Sequence, residues 1–101
     1  MNTFIRSSDF DAWLSGLADQ KAKARILSRL QSAMQGNFGD CEPVGGGVSE
    51  MRIHTGPGYR VYYTRTGKTV YFLLAGGDKS SQSKDIAHAR KLARELKAEN
   101  P

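Results

Sequence analysis

Hydrophobic positions in this chain change period twice. Phe10, Trp13, Leu14 and Leu17 recur at helical spacing. Ala24, Leu27, Leu30, Ala33 and Met34, with Ile26 close by, repeat the pattern and predict a second helix from about Gln20 to Gln35. Between Met51 and Ala75 the chain becomes rich in β-branched and aromatic residues, in runs bounded by Gly and Pro. Such runs predict strands at 51–54, 59–64 and 69–75. The turns between them, Thr55-Gly56-Pro57-Gly58 and Arg65-Thr66-Gly67-Lys68, are too short for anything but antiparallel neighbours. Helical spacing returns over about 82–98, where Ile86, Ala89, Ala93 and Leu96 form a face with Leu92 beside it. Residues 3–6 are a candidate first strand.

Capping residues set the boundaries. Ser8 is the expected N-cap of the first helix, with Asp11 in place of the usual Glu of a capping box. Gly36 is expected to stop the second helix. Ser81 or Ser83 is the expected cap of the last. The stretch GNFGDCEPVGGGVSE reads as an ordered loop anchored by Phe38 and Val44, with Gly45, Gly46 and Gly47 as a flexible lead-in to the sheet. These glycines lack the strand-before, helix-after context of a phosphate loop. The last residues, 98–101, are expected to fray.

The element order is thus strand, helix, helix, strand, strand, strand, helix. It predicts a single α+β domain over 1–101, a small and mostly antiparallel sheet with helices covering one face. Within the second main strand, Arg60, Tyr62 and Thr64 share one side and Tyr59, Val61 and Tyr63 the other. Val61 should face the core. Arg60 should face outward beside Arg52 or His54. Trp13 reads as core.

Composition narrows the class. At 101 residues, 39% hydrophobic and 25% charged, the chain fits one ordinary globular domain rather than a membrane span or a signal peptide. One cysteine, Cys41, cannot form an internal disulfide and has no obvious paired base, so cytoplasm is the expected compartment and catalysis by Cys41 is not expected. Two histidines without HxH or CxxC spacing argue against a metal, and no cofactor is expected. The net charge of +5 favours polyanionic partners, though a plain solvated basic surface explains it equally.

SEMRIHTGPGYRVYYTRTGKTVYFLLAGGDKSSQSKDIAHAR closely resembles the RelE/ParE toxin superfamily, in its HigB-like branch of addiction module killer proteins. GPGYRVYY and GGDKSSQSKDI are its most specific strings. The similarity extends from FDAWLSGLADQKAKARILSRL to the last helix. It implies a RelE-like fold, a cognate antitoxin, operator DNA bound through the antitoxin complex, and, in many members, mRNA cleavage on the ribosome. The ParE branch instead poisons DNA gyrase. A third reading is a non-toxic partner that binds antitoxin and operator DNA. No membrane partner is implied.

Metal-free RNA cleavage needs a base for the 2′ proton, cations for the phosphate and an acid for the leaving oxygen. The resemblance maps a phosphate-binding arginine onto Arg60 and a second basic position onto Lys79. Arg52 is the third candidate cation. His54 is the candidate proton carrier, its plain alternative being a turn histidine without a partner. Asp78 is a candidate base or a holder of Lys79. Tyr62 is a candidate proton donor or base-stacking ring. Lys84, Arg65, Lys21 and Arg25 join Tyr62 as candidate RNA- or ribosome-contacting residues. Some ribosome-cutting relatives carry a catalytic Tyr or His near the C-terminus, where this chain reads ARELKAENP. His88 reads as surface. The expected result is a set of fixed positive side chains on one open sheet surface.

Overall fold

A computed structural model describes residues 1–99. Its elements are β1 (Thr3–Arg6), α1 (Ser8–Gly16), α2 (Gln20–Met34), β2 (Cys41–Gly45), β3 (Val48–Ile53), β4 (Tyr59–Arg65), β5 (Val70–Asp78), a 3₁₀ turn (Lys79–Ser81) and α3 (Gln82–Glu99). The fold is α+β, with a sheet ordered β1-β5-β4-β3-β2. β1 runs parallel to β5, and the other neighbours are antiparallel.

β2 is a strand where the sequence predicted a loop. Pro43, which has no N–H to give a ladder, sits on an edge strand, where that loss is tolerated. The triple glycine is a tight hairpin rather than a flexible lead-in. Gly46 and Gly47 both take positive φ, 64° and 78°, as a two-residue hairpin turn requires. β5 also runs three residues past its expected end, through Gly76, Gly77 and Asp78.

The helices cover both faces of the sheet, not one. On the first face, Phe10 and Leu14 of α1 and Ile26 and Leu30 of α2 pack with Met51, Ile53, Val61, Tyr63 and Leu73. On the second, Ala89 and Ala93 of α3 pack with Val48, Tyr62, Leu74 and Ala75. Strand alternation separates Val61 and Tyr63 from Tyr62, and β3–β5 carry apolar side chains on both faces. That two-sided pattern demands a helix on each side.

Local boundaries shift by small amounts. Ser7, not Ser8, caps α1 through the Phe10 N–H, while Asp11 pairs with Arg6. The buried stripe of α2 is Ala22, Ile26, Leu30 and Ala33; Ala24 and Leu27 are exposed. Neither Ser81 nor Ser83 caps the last helix as expected: Asp78 caps the 3₁₀ turn with Ser81 as its reciprocal partner, and α3 continues directly from it. Trp13 is half-buried against the first core. Ala98 and Glu99 remain helical, and the expected fraying of Asn100 and Pro101 lies outside the described residues.

Candidate functional site: a basic cleft at the β3–β4 turn

β3 and β4 build the site by alternation and register. Glu50 and Arg52 share the α3 face of β3 with Val48; Arg60 and Tyr62 share the same face of β4. The register sets Arg52 directly opposite Arg60, and Glu50 opposite Tyr62. Two like charges facing each other across strands repel. Glu50, only 2% exposed, offsets that repulsion from below. Its carboxylate accepts from Tyr62 Oη at 3.2 Å and from Gln82 Nε2 at 3.0 Å. Arg52 Nε and Arg60 Nε each stand 3.4 Å from it. Both Nε–H groups are buried and lack hydrogen-bond alignment, so these two contacts are Coulombic ion pairs.

The guanidinium ends point on toward a cleft of 520 Å³. The 55–58 turn, Arg52, His54, Tyr59, Arg60 and Lys79 form its walls. The three candidate cations and the candidate proton carrier, Arg52, Arg60, Lys79 and His54, therefore line one concavity, while the other two chemical candidates, Asp78 and Tyr62, do not. Gly58 closes the turn beside the cleft side chains. It sits at φ 82°, and a Cβ there would touch both the Lys79 side chain and Arg60 Nη1. Arg60 Nη1 also donates to Gly58 O at 3.4 Å. Arg52 Nη2 pairs with Glu42 at the rim. Lys79 is exposed and has no ion-pair partner among the described residues.

His54 does have a partner, contrary to its plain reading. Its Nε2 lies 2.6 Å from Asp40 Oδ2. That bond, ahead of weaker help from Arg52, holds the Asp40 carboxyl below its ordinary pKa. Asp40 is in turn fixed by the backbone. Arg52 N donates to Asp40 O at 2.9 Å, and Arg29 of α2 donates to Phe38 O and to Arg52 O. The histidine is 73% exposed along its side chain, so its ring remains reachable.

Several expectations fail on burial. Tyr62 is fully buried, and its hydroxyl donates to Glu50. Burial first, and the Glu50 charge second, push its pKa well above the ordinary tyrosine value. It neither stacks on a base nor gives up a proton near neutrality. Asp78 does not hold Lys79. Its Oδ1 accepts from the Ser80 N–H and hydroxyl, which lowers its pKa and makes it a poor base. The expected open sheet surface is in fact roofed by the start of α3, leaving the Arg60 side chain 13% exposed. Cys41 is half-buried, donates to Phe38 O at 3.2 Å, and has its pKa raised by burial.

The remaining cations do not line the cleft. Lys84 is exposed on the first turn of α3, and Lys21 and Arg25 are exposed on α2, behind the opposite face. Arg65 stands at the far end of β4, where its guanidinium donates to Gly67 O and Lys68 O and ties the β4–β5 turn. His88 is exposed and meets Asp9 at 2.8 Å, joining α3 to α1.

A family model of phage-derived Gp49-like proteins (DUF891) matches residues 12–97. This chain belongs to the Gp49-like family. A Haemophilus influenzae protein described as uncharacterized is 49% identical over 87 residues, covering 86% of this chain and 88% of its own length. The Gp49-like match takes in every cleft residue, together with Asp40, Glu50 and Gln82, and leaves β1 outside.

Four residues that hold the cleft side chains are not picked out by the sequence: Glu50, Asp40, Glu42 and Gln82. Glu50 had a usable signal, since Glu-x-Arg on one strand places both charges on one face. Asp40, Glu42 and Gln82 had none. They reach the cleft through β2 pairing and the seating of α3, which are facts of tertiary structure.

Proposed function

We propose that this Gp49-like protein is the toxin of a type II toxin–antitoxin module. It cuts mRNA on the ribosome without a metal ion, and a cognate antitoxin neutralises it. The gathering of Arg52, Arg60, Lys79 and His54 around one cleft carries the reading. Family membership supports the toxin assignment, and the cleft supports the chemistry.

In this scheme a phosphodiester lies against Arg60 and Lys79. Arginine offers a fork that grips two phosphate oxygens, and lysine adds a mobile point charge. His54 takes the 2′ proton, and Asp40 steadies the imidazolium that forms. The 2′ oxygen bonds to phosphorus as the bond to the 5′ oxygen breaks, leaving a 2′,3′-cyclic phosphate and a 5′ hydroxyl. Arg60, Lys79 and Arg52 offset the charge that builds on the phosphate oxygens. With Tyr62 buried, the proton for the leaving oxygen comes from the ribosome or from water, which fits an enzyme that needs the ribosome to complete its site.

Lys79→Ala and His54→Ala test this most cleanly, because both side chains are exposed. Arg60→Ala is a poorer probe, since it strips a counterion from buried Glu50. Each clean variant should melt like the parent and lower mRNA cleavage by roughly a hundredfold, the usual cost of losing one transition-state donor. Transcript 5′ ends mapped after brief induction provide the readout. Parent-level cleavage by both variants overturns the site. DNA damage signalling without new mRNA ends points instead to a gyrase poison. Absence of any growth defect points to a non-toxic partner of antitoxin and operator.

A further inference from the structure

The buried carboxylate is the least explained group in the molecule. Glu50 is a charge placed at 2% exposure in a chain of modest size, where an isolated charge costs several kcal/mol or more. It lies beneath two arginines that face each other in register. A role confined to gluing α3 onto the sheet needs only the Gln82 contact, for which a neutral side chain suffices. The geometry shows more than glue. Both arginines present the same atom, Nε, to Glu50. A guanidinium approached at Nε has its remaining N–H groups directed elsewhere, and in Arg60 one of these, Nη1, reaches the Gly58 wall of the cleft.

We propose that Glu50 is a positioning residue that aims Arg52 and Arg60. By occupying their Nε sides from within, it turns the terminal nitrogens outward and presents them to one phosphate-sized anion in the cleft. One carboxylate under two guanidiniums leaves a charge of +2 − 1 = +1 from these three residues; Glu42, paired with Arg52 Nη2 at the rim, offsets it until an anion in the cleft takes its place, while the mutual repulsion of the arginines is held down from below. Tyr62 and Gln82 complete the device by fixing the carboxylate. The catalytic consequence rests on the ribonuclease reading above; the aiming itself does not.

Two variants separate aiming from charge balance and from simple support. Glu50→Gln removes the charge and keeps the shape. Glu50→Asp keeps the charge and withdraws it by one methylene. The first readout is the Arg Nε–Hε resonances in ¹⁵N NMR, before and after adding a single-stranded RNA oligonucleotide with 2′-O-methyl sugars. The second is mRNA cleavage on ribosomes. In the parent, two Nε–Hε signals should be protected from solvent exchange and should shift with the oligonucleotide. In Glu50→Gln both should lose protection. Oligonucleotide affinity should hold or rise, because the net charge goes from +5 to +6. Cleavage should fall at least tenfold. Glu50→Asp, with charge balance intact, should fold with a lower melting temperature than the parent and, assayed where both are folded, lose cleavage about tenfold. Unchanged Nε–Hε signals in both variants overturn the proposal, as does parental cleavage by Glu50→Asp. If Glu50→Gln does not fold, Glu50→Asp alone decides. If the parent itself cuts no RNA, the ribonuclease reading falls, and the exchange and shift data still decide whether Glu50 aims the arginines.

Discussion

At the scale of single residues, the site is governed by which polar groups are buried and what they hold. Arg60, Arg52, Lys79 and His54 were legible because each is a charged or titratable residue in or beside a strand-and-turn pattern. Alternation alone places Tyr62 on the polar side of β4, and only the seating of α3 shows that this side is also core. Its role is therefore to support Glu50, and this has a pH signature. The folded protein holds the Tyr62 proton more tightly than the unfolded chain does, because burial and Glu50 both penalise the phenolate. A group whose pKa rises on folding contributes fully below its unfolded value, here 10.0, and that contribution is lost as pH climbs past it. Tyr62→Phe leaves a buried carboxylate short of one donor, so it should cost about 1–3 kcal/mol at pH 8. The gap between parent and variant in urea melts should then narrow at pH 11, as the parent alone loses its tyrosine contribution. A gap that stays constant between the two pH values is incompatible with a Tyr62 proton held by the fold.

At the scale of elements, helices and strands were largely readable from periodicity, and the errors have common causes. Glycine reads as punctuation in the sequence. In fact Gly45–Gly47 close a hairpin, while Gly76 and Gly77 continue β5 as close-approach positions. These two neighbours point to opposite faces. A Cβ on Gly76 runs into the Trp13 indole of α1; a Cβ on Gly77 runs into the Asp85 carboxylate and Ser81 hydroxyl at the start of α3. Each glycine thus lets one helix lie against β5, and the pair explains how one strand supports helices on both sides. Gly76→Ala and Gly77→Ala should each destabilise by about 1–3 kcal/mol, the usual cost of overpacking. Their further effects should differ. Gly76→Ala should shift the emission of Trp13, the sole tryptophan, and leave the cleft in place. Gly77→Ala should displace the Ser81–Asp85 contact of 2.5 Å and the Gln82–Glu50 bond. On the toxin reading proposed above, it should therefore weaken growth arrest by more than its stability loss accounts for. Equal effects of the two variants on fluorescence and on growth arrest contradict this division of labour.

At the scale of the whole molecule, the net charge of +5 has two parts that respond differently to salt. The cleft cations are partly neutralised from within, Arg60 by Glu50 and Arg52 by Glu50 and Glu42. Lys79, Lys84, Lys21 and Arg25 are exposed and carry no ion pair among the described residues. Arg65 is committed to turn carbonyls. On the RNA-cutting reading proposed above, the salt dependence of binding counts the cations that displace counterions from phosphates, about 0.7 per contact on a single strand. A cation already paired inside the protein displaces fewer. Removing Lys79 or Lys84 should then lower the slope of log affinity against log salt by about 0.7 each, if each meets a phosphate. Lys21→Ala with Arg25→Ala tests whether α2, behind the other face, also touches RNA; a flat response confines the RNA to the α3 side of the sheet. Arg65→Ala should leave the slope unchanged and instead loosen the β4–β5 turn, visible as faster amide exchange at residues 66–70. A slope change for Arg65→Ala as large as that for Lys79→Ala means that RNA runs the full length of β4 rather than ending at the cleft.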